Sequence, residues 1–169
     1  QRARPGTQKP SSKLLTLKFF KTMKKLFFAA LFAVSALSIA KADNDERPIT
    51  IDKLPATAQQ FLQANFANLT FAYAIEEMGF FGSEYEVYYT DRTEVEFNSN
   101  GEWKKIERAY EALPDQVIPQ QILTFVKQHQ PTAFIKSIDR DSRDIEVELN
   151  SGIELKFDIN TLTLIGYDD

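Results

Sequence analysis

The sequence predicts an α+β fold: a tandem duplication in which a helix plus about four antiparallel strands is used twice, with the helices on one sheet face. Three observations lead there. Apolar residues recur at helical spacing after a Leu-Pro or Ile-Pro pair at two places, and period-two alternation follows each. The two stretches also repeat one another in order. Leu54-Pro55 with Phe61-Leu62 recurs as Ile118-Pro119 with Phe125-Val126, an offset of 64. Tyr85-Glu86-Val87 recurs as Ile145-Glu146-Val147, and Glu94–Asn98 as Glu154–Asp158, both at an offset of 60. A register kept over that length describes an internal repeat, with copies at about 50–110 and 111–169.

Each copy opens with a helix. Pro55 and Pro119 suit a first helical turn, where the missing N–H costs nothing. Leu54, Ala58, Phe61, Leu62 and Phe66 form one stripe; Ile118, Ile122, Phe125, Val126 and His129 form the other, so each helix lies on something apolar. Pro131 stops the second.

The strands come next. Tyr85, Val87 and Tyr89 alternate with Glu86, Tyr88 and Thr90; Ile145, Val147 and Leu149 alternate with Glu146, Glu148 and Asn150. Val95 and Phe97, then Ile153, Leu155 and Phe157, carry the following pair. A three-residue connection at Asn150-Ser151-Gly152 sets Ile145 opposite Phe157 and Val147 opposite Leu155, bringing every apolar side chain to one face. Such a hairpin needs a left-handed last position, which Gly152 supplies and Arg92 occupies under strain in the first copy. Flanking strands are expected at Phe71–Glu76, Glu102–Arg108, Phe134–Asp139 and Leu162–Tyr167.

The N-terminal part is an address. Met23-Lys24-Lys25, fifteen uncharged residues to Ala40, and Ala40-Lys41-Ala42 describe a secretory signal peptide over 23–42, cleaved after Ala42. The apolar stretch is short of the ~20 residues of a spanning helix, so no membrane span is expected after cleavage. Residues 1–22 read as a non-native or disordered extension, and Asp43-Asn44-Asp45-Glu46 as a solvated start of the 43–169 domain. The destination is periplasmic or extracellular.

Charge and composition exclude much. Nine of the 20 bases and none of the 24 acids fall in 1–42, so 43–169 holds 11 bases against 24 acids, a net of −13. That balance repels phosphate backbones and disfavours nucleic acid. With no cysteine there are no disulfides, no thiolate chemistry and no lipid-modified N-terminal Cys. His129, the lone histidine, has no orienting acid or nucleophile in its local sequence and reads as a partly buried, hydrogen-bonded helix-end residue. No catalytic or phosphate-binding motif is present, and no cofactor is expected.

These residues resemble a known family. The Leu-Pro helix start, the Tyr-Glu-Val strand, the Glu-x-Glu-Phe-Asn strand and the Asn100–Lys104 turn (Asn-Gly-Glu-Trp-Lys) are similar to the PepSY-like, β-lactamase-inhibitor-like family of small exported bacterial proteins. The resemblance spans about 50–168. It implies a fold like that of the β-lactamase inhibitor proteins, whose open sheet face grips a protein partner. Those inhibitors carry disulfides that this chain cannot form, and no stretch matches their inhibitory loop, so no inhibitory residue carries over.

The expected function is a non-catalytic, monomeric exported binding module that engages a protein or peptide, basic in character, through the open face; inhibition of an enzyme is one form of it. Glu86, Tyr88, Glu94, Glu96, Glu146, Glu148, Glu154 and Lys156 would stand on that face, with Tyr88 an aromatic anchor among steering acids. The simpler reading is a solvated face that keeps the protein soluble, its carboxylates at ordinary pKa values. In a regular strand Trp103 cannot share a face with Ile106. It joins Tyr88 on the open face if Ile106 is buried and is packing if it is itself core; the turn length at Asn98–Gly101 decides. Asp139, Asp141 and Asp144 could hold a divalent cation weakly through oxygen. Arg140 and Arg143 favour a plain charged turn there.

Overall fold

The computed structural model describes residues 46–79 and 82–168. The expected N-terminal extension (1–22) and signal peptide (23–42) lie outside the described residues.

Nine strands form a single antiparallel sheet in chain order. They are β1 (Glu46–Ile49), β2 (Phe71–Gly79), β3 (Gly82–Tyr89), β4 (Thr93–Phe97), β5 (Trp103–Arg108), β6 (Ile135–Arg140), β7 (Asp144–Leu149), β8 (Glu154–Asp158) and β9 (Leu164–Asp168). Helix α1 (Ala56–Phe66) follows β1, and α2 (Gln120–His129) lies between β5 and β6, each preceded by a 3-10 turn. The fold is α+β, as the sequence predicts. Strand β1 is an addition: Glu46–Ile49 pairs with β2, and Glu46, the last residue of the expected solvated start, opens it.

Both helices cover the same face. Phe61 meets Phe97 edge-on at 5.9 Å and Phe125 meets Phe157 at 5.4 Å. Beneath them Val87, Val95, Phe97, Ile106, Ile138, Val147 and Phe157 are fully buried. Burying a side chain of this kind stabilises by roughly 1.5–3 kcal/mol, so this layer is what holds the sheet together. The prolines stand just before the helices rather than inside them; their carbonyls accept hydrogen bonds from Gln59 and Leu123 at 3.1 and 3.0 Å.

The β7–β8 register is the expected one, Ile145 opposite Phe157 and Val147 opposite Leu155, and Gly152 is left-handed at φ +89°. Arg92 takes a φ of +66° at the β3–β4 turn. Gly101 (φ +79°) closes the β4–β5 turn beside α1, where a Cβ would come within 2.8 Å of Pro55 Cβ and 2.9 Å of the Ala58 nitrogen. Only glycine fits there.

A register shift at Glu96/Phe97 leaves Lys104 as an extra residue, so Phe97 pairs with Trp103 while Glu96 pairs with Lys105. A bulge of this kind changes which face the next side chain takes. Trp103 therefore packs against the core, and the Arg140 guanidinium lies 4.4 Å over its ring. It does not stand beside Tyr88.

Candidate functional site: the charged sheet face

Strand alternation places one set of polar side chains opposite the helices, and the register aligns them in two rows. One runs Ile75, Glu86, Glu96, Lys105, Asp139, Glu146, Lys156, Gly166; the other runs Tyr73, Tyr88, Glu94, Glu107, Ser137, Glu148, Glu154, Asp168. The expected residues Glu86, Tyr88, Glu94, Glu96, Glu146, Glu148, Glu154 and Lys156 all lie on this face. Tyr73, Lys105 and Glu107 join them. Sequence reading missed these three because β2 and β5 carry bulges that hide the alternation.

The face is less wet than a simple solvated surface. Glu86, Glu96, Glu146, Glu148 and Glu154 are half-buried, and Glu94 is only 8% exposed. Cross-strand neighbours stand roughly 5 Å apart, and long side chains packed that closely cover one another.

In the β7–β8 half two lysines pair with three of the acids. Lys156 Nζ lies 2.5 Å from Glu146 and 3.4 Å from Asp144, and Lys136 lies 3.0 Å from Glu148. The hydrogen bond to Glu146 is the main reason that Lys156 holds its proton more tightly than usual.

In the β3–β4 half one lysine pairs with two of the acids. Lys105 serves both Glu107 at 3.1 Å and Glu96 at 3.7 Å. The Tyr88 hydroxyl donates to Glu86 at 2.6 Å, and its ring stacks on Tyr73 with centroids 4.5 Å apart. Burial, then the bond to Glu86, pushes the Tyr88 hydroxyl far above its usual pKa. Among the described residues, Glu94 Oε1 is the buried side-chain oxygen left with no hydrogen-bond partner. Burial raises the Glu94 carboxyl to about 8; Lys105 opposes the rise and Glu96 adds to it. Burial raises Glu96 as well. These two correct the expectation of ordinary pKa values along the face, because desolvation disfavours the charged form.

Glu76 is the control. It is equally buried at 8%, but Ser83 donates to one oxygen at 2.7 Å and Arg47 donates twice to the other at 2.9 and 2.7 Å. Those bonds, Ser83 first, hold its pKa below the usual carboxylate range. Desolvation comes first in raising Glu94 and hydrogen bonds come first in lowering Glu76, so the surroundings of the carboxyl as well as its partners separate the two acids.

The remaining candidates are dispersed. Asp139 pairs across to Lys105 in the sheet register, Asp141 accepts from the Ser142 backbone and hydroxyl, and Asp144 faces Lys156. No group of three or more His, Cys, Asp or Glu among the described residues is arranged to hold a metal. His129 is exposed rather than partly buried, stacked on Phe125 at 4.1 Å with Nδ1 2.9 Å from the Phe125 carbonyl. It ends the helix one turn beyond the layer that Val126 closes.

Two surface hollows lie away from this face. One of about 790 Å³ includes Arg47, Ile49, Glu76 and Tyr85, and one of about 270 Å³ includes Asp91, Arg92, Arg108 and Glu111. Their acids are committed: Glu76 to Arg47, and Asp91 and Glu111 to Arg108 at 3.1 and 2.5 Å.

A family match described as "Putative beta-lactamase-inhibitor-like, PepSY-like" covers residues 83–164. A solved Bacteroides vulgatus structure of the DUF2874 family, described as a "putative periplasmic protein", is 34% identical with a TM-score of 0.72, over 76% of this chain and 100% of that one. The chain belongs to the PepSY-like family. A second neighbour, from Bacteroides thetaiotaomicron and described as a "putative calcium-regulated periplasmic protein", matches with the same identity, coverage and TM-score. A third, again from Bacteroides vulgatus and described as of unknown function, is 28% identical with a TM-score of 0.69, over 73% of this chain and 99% of that one. A search of curated proteins gives no match. The periplasmic descriptions of these neighbours support an exported protein, and no helix among the described residues is long and apolar enough to cross a membrane.

Proposed function

We propose that this PepSY-like chain is a non-catalytic exported binding module that engages a protein or peptide through the sheet face opposite its helices. One observation carries the reading: both helices among the described residues pack on the other face, and this one presents two aligned rows of acidic and aromatic side chains. An acidic field steers a basic partner, and the Tyr73–Tyr88 stack gives it an aromatic anchor. The absence of disulfides sets the chain apart from true β-lactamase inhibitors, so the target is left open.

The same proposal extends to its origin and processing. The helix-plus-four-strand stretches are read as copies of one unit; bulges at Phe71/Tyr73 and Ile135/Ser137, and at Glu96/Phe97 and Lys156/Phe157, fall at corresponding places and support this. A signal peptide over 23–42 and a monomeric mature chain complete the reading.

The test is capture from periplasmic extract with wild type, Tyr88→Ala, Glu96→Lys and a helix-surface control, Gln63→Lys. Partners should be lost with the first two variants and kept with the control. Unchanged capture across all four would remove the proposal.

A second reading, a low-affinity divalent-cation binder, draws on the calcium-regulated description of one relative. The separation of Asp139, Asp141 and Asp144 weighs against it. Calorimetry without calcium heat at millimolar concentration would dismiss it.

A further inference from the structure

We infer that the β2–β5 half of the charged face is a recognition site for a lysine or arginine side chain of an extended peptide, and that seating this cation drives a proton off Glu94. The inference rests on the docking reading above and adds a ligand chemistry and a proton to it.

Three observations carry it. The first is a charge mismatch. Glu86, Glu94, Glu96 and Glu107 stand on three adjacent strands, and Lys105 is the ammonium that ion-pairs with two of them. The second is independent of the acid cluster. Glu94 is more than nine-tenths buried with Oε1 unpartnered, whereas Glu76, with the same exposed fraction, has both oxygens satisfied. A buried carboxyl oxygen without a donor is the complement of an ammonium or guanidinium N–H. The third is aromatic. Tyr73, 38% exposed and stacked on Tyr88, offers a ring beside the acids, and a cation on such a face is attracted by its electron density.

The alternative cation is a metal ion, which needs several oxygen ligands converging on a point. No such convergence exists among the described residues. A peptide side chain needs one or two acceptors and an aromatic wall, which is what stands here. The β7–β8 half offers less to an incoming cation, because Lys156 and Lys136 already pair with Asp144, Glu146 and Glu148.

The groups around Glu94 are Tyr73 from β2, Glu86 and Tyr88 from β3, Glu96 beside it on β4, and Lys105 and Glu107 from β5. With its pKa raised to about 8, Glu94 is largely neutral at pH 7 in the free protein. Arrival of a fixed positive charge stabilises the carboxylate, so the carboxyl O–H proton leaves to solvent as the cation pairs with the oxygen. Binding and ionisation are then one linked equilibrium.

The experiment is titration calorimetry of the full chain with an eight-residue alternating Lys-Thr peptide at pH 7, in two buffers of different protonation enthalpy. An acetyl-lysine version of the peptide serves as the uncharged control. Wild type should release about one proton per peptide, and its affinity should rise about tenfold per pH unit from pH 6 towards 8. Glu94→Gln, verified as folded by circular dichroism, should lose both the proton and the pH dependence. Tyr73→Ala should weaken binding about threefold to tenfold while proton release persists. Binding without proton release, equal release from Glu94→Gln, or no binding of the charged peptide each overturns the inference. A peptide that binds without releasing a proton leaves the docking reading standing. Failure of the docking reading would show separately, as unchanged partner capture by the face variants.

Discussion

The strand pairs β3–β4 and β7–β8 hold the same place after their helices, yet their open faces solve the same charge problem differently. Behind each, an aromatic from the preceding helix seals a buried phenylalanine, Phe61 on Phe97 and Phe125 on Phe157. In front, β8 presents Lys156 where β4 presents Glu96, and β7 presents Glu148 where β3 presents Tyr88. One half pairs three of its acids with lysines, while the other crowds like charges round a buried carboxyl with one oxygen unpartnered. Equal cores with unequal faces separate what makes this protein fold from what it holds ready for a partner.

The core side should show the larger and more symmetrical effects. Phe97→Ala and Phe157→Ala should each cost about 3–5 kcal/mol in urea unfolding, and a large inequality would break the equivalence of the halves. The face should show asymmetry instead. Glu94 has a folded pKa of about 8, above its ordinary value of 4.5. The folded state therefore binds more protons than the unfolded chain between those two values. The stability that Glu94 contributes is full below pH 4.5, declines as pH rises, and is gone above pH 8. Glu94→Gln should remove that slope and be more stable than wild type at pH 9 by about 2–4 kcal/mol, read from denaturant midpoints.

Exchanging the decisive residue sharpens the contrast. Glu96→Lys gives β4 the charge of β8 but sets an ammonium opposite Lys105, so the net change at pH 8 should stay within about 1 kcal/mol. Lys156→Glu should destabilise by about 1 kcal/mol, with added salt recovering part of the loss. The turns give the smallest effect. Gly152→Ala places a Cβ in the left-handed region with nothing within 4 Å and should cost about 1 kcal/mol in a thermal melt. Arg92→Gly relieves the same conformation but loses the 2.7 Å bond from Arg92 to the Tyr110 hydroxyl, so the net change should stay within ~0.5 kcal/mol.

What the sequence revealed follows from periodicity. Val87, Phe97, Val147 and Phe157 fall at period two between turn residues, and the helix stripes fall at period 3.6, so the buried layer and the β7–β8 register were legible. What stayed hidden lies where the period breaks. The extra residue Lys104 turns Trp103 into the core, and the bulge after Phe71 brings Tyr73 beside Tyr88; neither leaves a mark in composition. The acids themselves were visible as residues on one face. Their burial was not, because it depends on which long side chains stand across the strand, and a run of glutamates reads as solvated until its neighbours are placed.

The most direct test is a carbon-13 NMR titration of the Glu94 carboxyl in wild type and in Glu96→Lys. The account predicts a midpoint close to 8 in wild type and a clear fall towards the ordinary carboxylate range once the neighbouring acid becomes a lysine. A wild-type midpoint near ~4.3, or one that does not respond to Glu96→Lys, would contradict it.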